Sequence, residues 1–206
     1  MTLNAPEHLL TLDDELSRRL FELRTLVLGE PLEDRGTNRL CQAFLLLAAE
    51  NPTADVRLLI NSPGGSVAGM LAIRDCMRAI PNDVCTVNLG TAYGAGQFLL
   101  SSGTKGKRYT MPHAKVLLHQ GSAGIGGTAV HIAIQADDLR RTRDTVAACI
   151  AEDTGQPIAQ IEEDSRRDRW FTASEAADYG FVDAVVTSLD DVLTTLRRPI
   201  GLGSPR

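Results

Sequence analysis

Hydrophobic and polar positions change period several times along this chain. In LDDELSRRLFELR (12–24), apolar residues recur at helical spacing behind early acids and ahead of late arginines. That order suits the helix dipole and predicts an amphipathic helix. TLVLG (25–29) is a short apolar strand, followed by a turn through EPLED. TNRLCQAFLLLAAEN (37–51) is apolar enough to predict a helix buried on more than one face. Next come a strand at VRLLI (56–60), a turn at NSPGGS (61–66) and a helix at VAGMLAIRDCMRAI (67–80), stopped before Pro81. The strand VCTVNLG (84–90) runs into GTAYGAGQFLLSSG (90–103), where Gly90, Gly94 and Gly96 allow a sharp bend ahead of an apolar helix.

Strand and helix thus alternate three times. The strands are short and apolar on both faces, which predicts an α/β fold with a largely parallel sheet covered by helices. KGKRYTM (105–111) and KVLLH (115–119) are two further strand-like pieces separated by Pro112, and GSAGIGGTAV (121–130) is glycine-rich and extended. A long helix is expected over roughly 128–153, ended by Gly155. Its charged middle, ADDLRRTRD, places Asp137 and Arg141 for an i,i+4 pair. Such a helix either protrudes onto a partner or forms a solvated outer layer. PIAQIEEDS (157–165) is a short helix, Thr172 and Glu175 have capping-box spacing, and FVDAVV (181–186) is a last strand. The expectation is a single domain over 1–190, with a flexible tail over 191–206.

Composition narrows the function classes. A length of 206 residues suits one sizeable core, and a net charge of −5 with no basic block gives nucleic-acid binding no electrostatic support. No run approaches the roughly 18–20 apolar residues that span a membrane. MTLNAPEHLL lacks a basic segment followed by an apolar one, so the cytoplasm is the expected location. The four cysteines form no C-x-x-C pair and sit in apolar segments, which reads as small core residues in a reducing compartment rather than disulfides or metal ligands. No metal or cofactor is expected.

Candidate chemistry concentrates at strand ends and turns. His119 closes the apolar strand VLLH, where residues face a crevice, in a structural or a catalytic role. Asp168, in RRDRW, is a surface ion pair or a held functional carboxylate. NSPGGS either makes a structural turn or aims the amides of Gly64 and Gly65 at an anion; it matches no phosphate-loop motif. The Ala95 amide beside Gly94 is a second donor of this kind, and two such amides facing one another would make an oxyanion hole.

Together these segments resemble the Clp protease proteolytic subunits (ClpP). The resemblance runs from about residue 18 to 186 through LGEPLED, INSPGGSV, the FLLSSGTKGKR stretch, MPHAKVLLHQ and EEDSRRDRWFTASEAADYGFVD, in the family's order. It implies a ClpP/crotonase-like spiral of strand–helix units with a protruding handle over about 121–155. It also implies heptameric rings stacked in pairs, homo- or hetero-oligomeric, fed by an AAA+ unfoldase that alone uses ATP. Carried over by motif, the general base falls on His119, its orienting aspartate on Asp168, and the oxyanion amides on Gly65 and Ala95. Gly121, Ser122 and Gly124 fall on the strand beside bound peptide. The nucleophilic serine of the family falls on Gly94.

That substitution removes the attacking oxygen, so the resemblance implies a structural or regulatory subunit working with an active paralogue. Two alternatives stand beside it: a normal peptidase with an engineered serine-to-glycine change, and a crotonase-like acyl-CoA enzyme using the oxyanion hole alone. GTAYGAGQ suits the latter, whereas His119, Asp168 and the long helix suit the former family. Tyr93 stands where the family prefers a small residue. Arg57 and Leu59 stand where many members place aromatic residues of the ATPase docking pocket.

Overall fold

The computed structural model describes residues 11–121, 124, 126–188 and 192. The expected flexible tail, apart from Val192, and Ser122 lie outside these residues. Strands β1 (Thr25–Leu28), β2 (Val56–Ser62), β3 (Val84–Tyr93), β4 (Arg108–Thr110) and β7 (Ala184–Val185) lie side by side in that order, all parallel. Strand β5 (Lys115–Leu118) leaves this path. It pairs parallel with the end of β3 and antiparallel with β6 (Arg169–Phe171).

Helices α2 (Asp34–Glu50) and α3 (Val67–Ala79) are the crossovers from β1 to β2 and from β2 to β3. A parallel pair needs such a connection, because the chain must return to the starting edge before the next strand begins. Phe44, Leu58, Ile60, Ile73, Phe98 and Phe181 are wholly buried between sheet and helices. Each contributes on the order of 2 kcal/mol through apolar burial. Short helix α4 (Ala95–Ser101) is buried at every residue.

Helix α5 (Ala129–Thr154) is the long one, closed by Gly155 in the left-handed conformation as its sequence implied. Its first half is exposed, while Ala147, Ile150 and Asp153 near its end are buried. Asp153 fixes that end to the body. Its carboxylate accepts from Arg74 at 3.0 and 3.2 Å, from Arg78 at 2.6 Å and from Ser102 Oγ at 2.9 Å. The Asp153 carbonyl accepts from Arg108, which also reaches the carbonyls of Ser101 and Gly180 and pairs with Asp183. Helices α1 (Leu12–Glu22), α6 (Ile158–Asp164) and α7 (Ala173–Tyr179) complete the described chain, α7 with the expected Thr172–Glu175 capping box.

Several expectations need correction. Helix α2 starts at Asp34, before the predicted 37, and its outer face is open, with Leu45 and Leu46 about half exposed. The apolar count of that segment had hidden a one-sided burial. Strand β3 continues past Gly90 to Tyr93 because β5 supplies a second partner there. The last strand is only two residues long. Asp137 pairs with Arg140, one residue short of Arg141, which faces Asp138. Of the four free cysteines only Cys85 is buried; Cys41, Cys76 and Cys149 are partly exposed.

Candidate functional site

Gly94 joins β3 to α4 with φ +49° and ψ −109°. Glycine takes that conformation freely, whereas an L side chain there is strained. The elbow is tied down on both sides. Gly94 N–H donates to the Leu117 carbonyl at 3.3 Å, and the Gly94 carbonyl accepts from Phe98 N–H at 2.9 Å.

Sheet register brings His119 to this point. Tyr93 pairs with Leu117 across β3 and β5, and Leu117 pairs with Trp170 across β5 and β6. The antiparallel ladder ends at Leu118 and Arg169, and His119 and Asp168 are the next residue along the chain on each side of that last pair. Gln120 N–H donates to the Ser165 carbonyl at 2.7 Å and keeps the two segments together beyond the strands. A Cβ added to Gly94 would lie 2.9 Å from His119 Nε2, nearer to that atom than to the other two ring atoms within 4 Å. The imidazole is therefore aimed at the place a side chain would leave the elbow.

Asp168 is exposed, and among the described residues neither it nor His119 has a side-chain hydrogen bond. The surface ion pair that its arginine neighbours suggested is also not formed. Arg169, itself exposed, takes another acid. It pairs with Asp164 and lies over the rings of Phe171 and Tyr179 at 4.9 and 5.4 Å. Burial acts to raise the Asp164 carboxyl, but hydrogen bonds from Gln160 and Tyr179 and the Arg169 charge bring it below its ordinary value. Burial and the Asp164 contact push the Tyr179 phenol up. Nothing in the spacing of DSRRDRW distinguishes Asp164 from Asp168 as the acid Arg169 chooses.

The SPGG turn packs against the elbow. Gly65 bridges to Leu32, with Leu32 N–H donating to the Gly64 carbonyl at 2.7 Å and Ser66 N–H to the Leu32 carbonyl at 2.8 Å. A Cβ on Gly64 would stand 3.0 Å from the Tyr93 carbonyl and 3.5 Å from the Ala95 nitrogen, so only glycine permits this approach. Among the described residues the Gly65 and Ala95 amides have no acceptor. Both are available to an oxyanion.

Gly121 and Gly124 are exposed, with no atom within 4 Å of an added Cβ. Among the described residues the hydroxyls of Ser66, Ser101 and Ser102 are engaged elsewhere. Ser101 and Ser102 are buried and bonded to carbonyls of their own helix, and Ser66 caps α3. Among the described residues no three His, Cys, Asp or Glu side chains gather as a metal site requires. Arg57 is 5% exposed and donates to the carbonyls of Leu23 and Val192, so it offers no aromatic-like surface. Sequence reasoning missed the Tyr93–Trp170 contact, in which the rings meet at 4.9 Å and 81°. Its only signal was the pairing of two aromatic residues in a chain with few.

The sheet with its offset β5, the glycine elbow and the two free amides define a ClpP/crotonase-like α/β protein. The family profile described as Clp protease matches residues 11–189, and the chain belongs to that family. It is similar to the ATP-dependent Clp protease proteolytic subunit 1 of Corynebacterium jeikeium, 52% identical over 91% of this chain and 98% of that one. It is also similar to proteolytic subunit 1 of Frankia casuarinae, 56% identical over 84% of this chain and 82% of the relative. Proteolytic subunit 3 of Streptomyces coelicolor is 51% identical over 92% of this chain and 88% of its own.

Proposed function

We propose that this chain builds the wall of a Clp-type proteolytic chamber without a nucleophile of its own, as a structural or regulatory member alongside an active paralogue. One observation carries the reading: His119 Nε2 faces the elbow at Gly94, where there is no oxygen to receive it. In a Ser-His-Asp hydrolase the histidine takes the proton of a hydroxyl as that oxygen attacks the carbonyl. Here the Gly65 and Ala95 amides can still hold a carbonyl oxygen, but no acyl-enzyme forms. What remains is a trace of hydrolysis by water.

The relatives' numbered subunit names support a setting in which several such chains coexist. The apolar side chains Val130, Ile132 and Ile134 on the projecting half of α5 support docking between stacked heptameric rings. The burial of Arg57 favours contact with an AAA+ unfoldase through the paralogue's surface. No described helix is long and apolar enough to cross a membrane. We place the assembly in the cytoplasm, with ATP used only by the unfoldase.

The test is cleavage of a fluorogenic peptide and labelling by a fluorophosphonate probe, on the chain alone. No labelling and no cleavage beyond a trace are expected; stoichiometric labelling at a serine overturns the reading. Gly94→Ser is then assayed alone and mixed with the paralogue. Regained cleavage means that His119, Asp168 and the two amides still work together. Silence in both settings means the remainder of the site has drifted as well.

A further inference from the structure

Helices α2 and α3 each return the chain from one parallel strand to the next, so they run in the same direction. Their contacting faces are marked by Thr37 and Gly69: a Cβ on Gly69 would lie 2.3 Å from Thr37 Oγ1. Helical periodicity repeats those faces at i+4 and i+7. One turn beyond Thr37 is Cys41, and two turns beyond Gly69 is Cys76. Both cysteines therefore lie on this seam, Cys41 one turn along α2 and Cys76 two turns along α3, and their side chains stand close enough to interact. Both thiols are free and both residues are partly exposed, so a small solute can reach them.

We propose that Cys41 and Cys76 are a redox modification site, which a hydroperoxide closes into a disulfide tying α2 to α3. Burial and the adjacent Cys76 push the Cys41 thiol up to about 12, with a charge on Cys76 holding the Cys41 proton in place. One sulfur of the pair attacks a peroxide oxygen as its thiolate, the O–O bond breaks, and a proton from solvent completes the departing water or alcohol. The product at that cysteine is a sulfenic acid. The other sulfur then attacks the sulfenic sulfur and the S–O bond breaks. The hydroxide leaves with the second thiol's proton as a second water. Two thiols lose two electrons, and the peroxide gains them.

The link would act near the candidate site without touching it. α2 and α3 begin just after Leu32 and Gly65, which are joined by the bridge that fixes the free Gly65 amide. A covalent tie further along the same two helices restrains that bridge.

The experiment uses the full chain treated with hydrogen peroxide, quenched, alkylated under denaturing conditions and digested with trypsin without reduction. The expected product joins LCQAFLLLAAENPTADVR to DCMR through Cys41 and Cys76, lighter by two hydrogens than the separate peptides. It should migrate as a single chain, vanish with dithiothreitol, and be missing from Cys41→Ser, Cys41→Ala and Cys76→Ser. The oxidised chain should also unfold at higher guanidinium concentration, a gain those variants lack. Full alkylation of both thiols after peroxide overturns the proposal. So does separate conversion to sulfinic or sulfonic acid, or a link to Cys149 or to a second chain. None of these outcomes bears on whether the Gly94 elbow cuts peptides.

Discussion

The ring of Tyr93 meets the indole of Trp170 edge-on, with centroids 4.9 Å apart. The contact ties the residue before the elbow to the strand that follows Asp168, passing over β5. Such a pair is worth about 0.5–1.5 kcal/mol beyond its buried area. Trp170 is the only tryptophan in the chain, so its emission reports on this one place. Tyr93→Ala should shift the emission to the red and raise quenching by acrylamide, while Tyr93→Phe should leave both nearly unchanged. Identical spectra for all three proteins would mean that the rings do not meet in solution.

The elbow backbone gives a second expectation. With φ at +49°, Gly94 sits where a side chain is strained, and an added Cβ also presses on His119 at 2.9 Å. Gly94→Ser and Gly94→Ala should therefore each lower stability by about 1–2 kcal/mol in urea unfolding. The imidazole end can give way, which keeps the cost small. Gly65→Ala should be worse, because its Cβ would meet the backbone of Leu32 at 2.3 Å, and backbone cannot rotate aside. An unchanged midpoint for Gly65→Ala would contradict the Leu32 bridge.

Asp153 should be among the costliest side chains to remove. Its carboxylate is 1% exposed and shared by Arg74, Arg78 and Ser102, and Arg74 is itself 9% exposed. Asp153→Ala strands the buried Arg74 guanidinium, a loss of about 3–5 kcal/mol. Glu152→Ala, one residue earlier and 63% exposed, should cost under about 1 kcal/mol. Comparable effects from both substitutions would refute the distinction.

Acid should weaken the fold through Asp183. Burial acts to raise this carboxyl, but hydrogen bonds from the Arg108 side chain, the Arg108 amide and the Gly106 amide bring it below its ordinary 3.8. A carboxyl depressed in the folded state stabilises fully above its unfolded pKa, and that stabilisation fades as pH falls through the folded one. Urea midpoints should hold down to about pH 4 and then decline. Asp183→Asn should start lower at neutral pH and show a shallower decline. Equal slopes for the two proteins would remove Asp183 from the account.

Much of this architecture was legible in the residue pattern. Alternating apolar strands and helices required parallel crossovers, and Gly155 announced the end of α5. His119 was identifiable because it ends an apolar strand, and strand ends collect at one edge of a parallel sheet. The antiparallel pairing of β5 with β6 was not legible. RWF is three residues long, and its partner is chosen by tertiary register rather than by periodicity. The choice of Asp164 rather than Asp168 by Arg169 goes with the rings of Phe171 and Tyr179 beneath its guanidinium. Local charge alternation in RRDRW cannot encode that choice. Likewise the apolar content of α2 could not say which leucines face solvent.

Strand β5 carries ladders on both edges, parallel to β3 and antiparallel to β6. His119 directly follows this doubly paired strand, whereas Asp168 only precedes a three-residue rim strand with one neighbour. The site is thus unevenly insured. A slip that moved the histidine would break two sets of pairings and turn its side chain to the opposite face, but the acid could wander at little expense to the fold. In a lineage released from proton transfer, the aspartate's placement should erode first, and the histidine should persist as a fixture of the sheet.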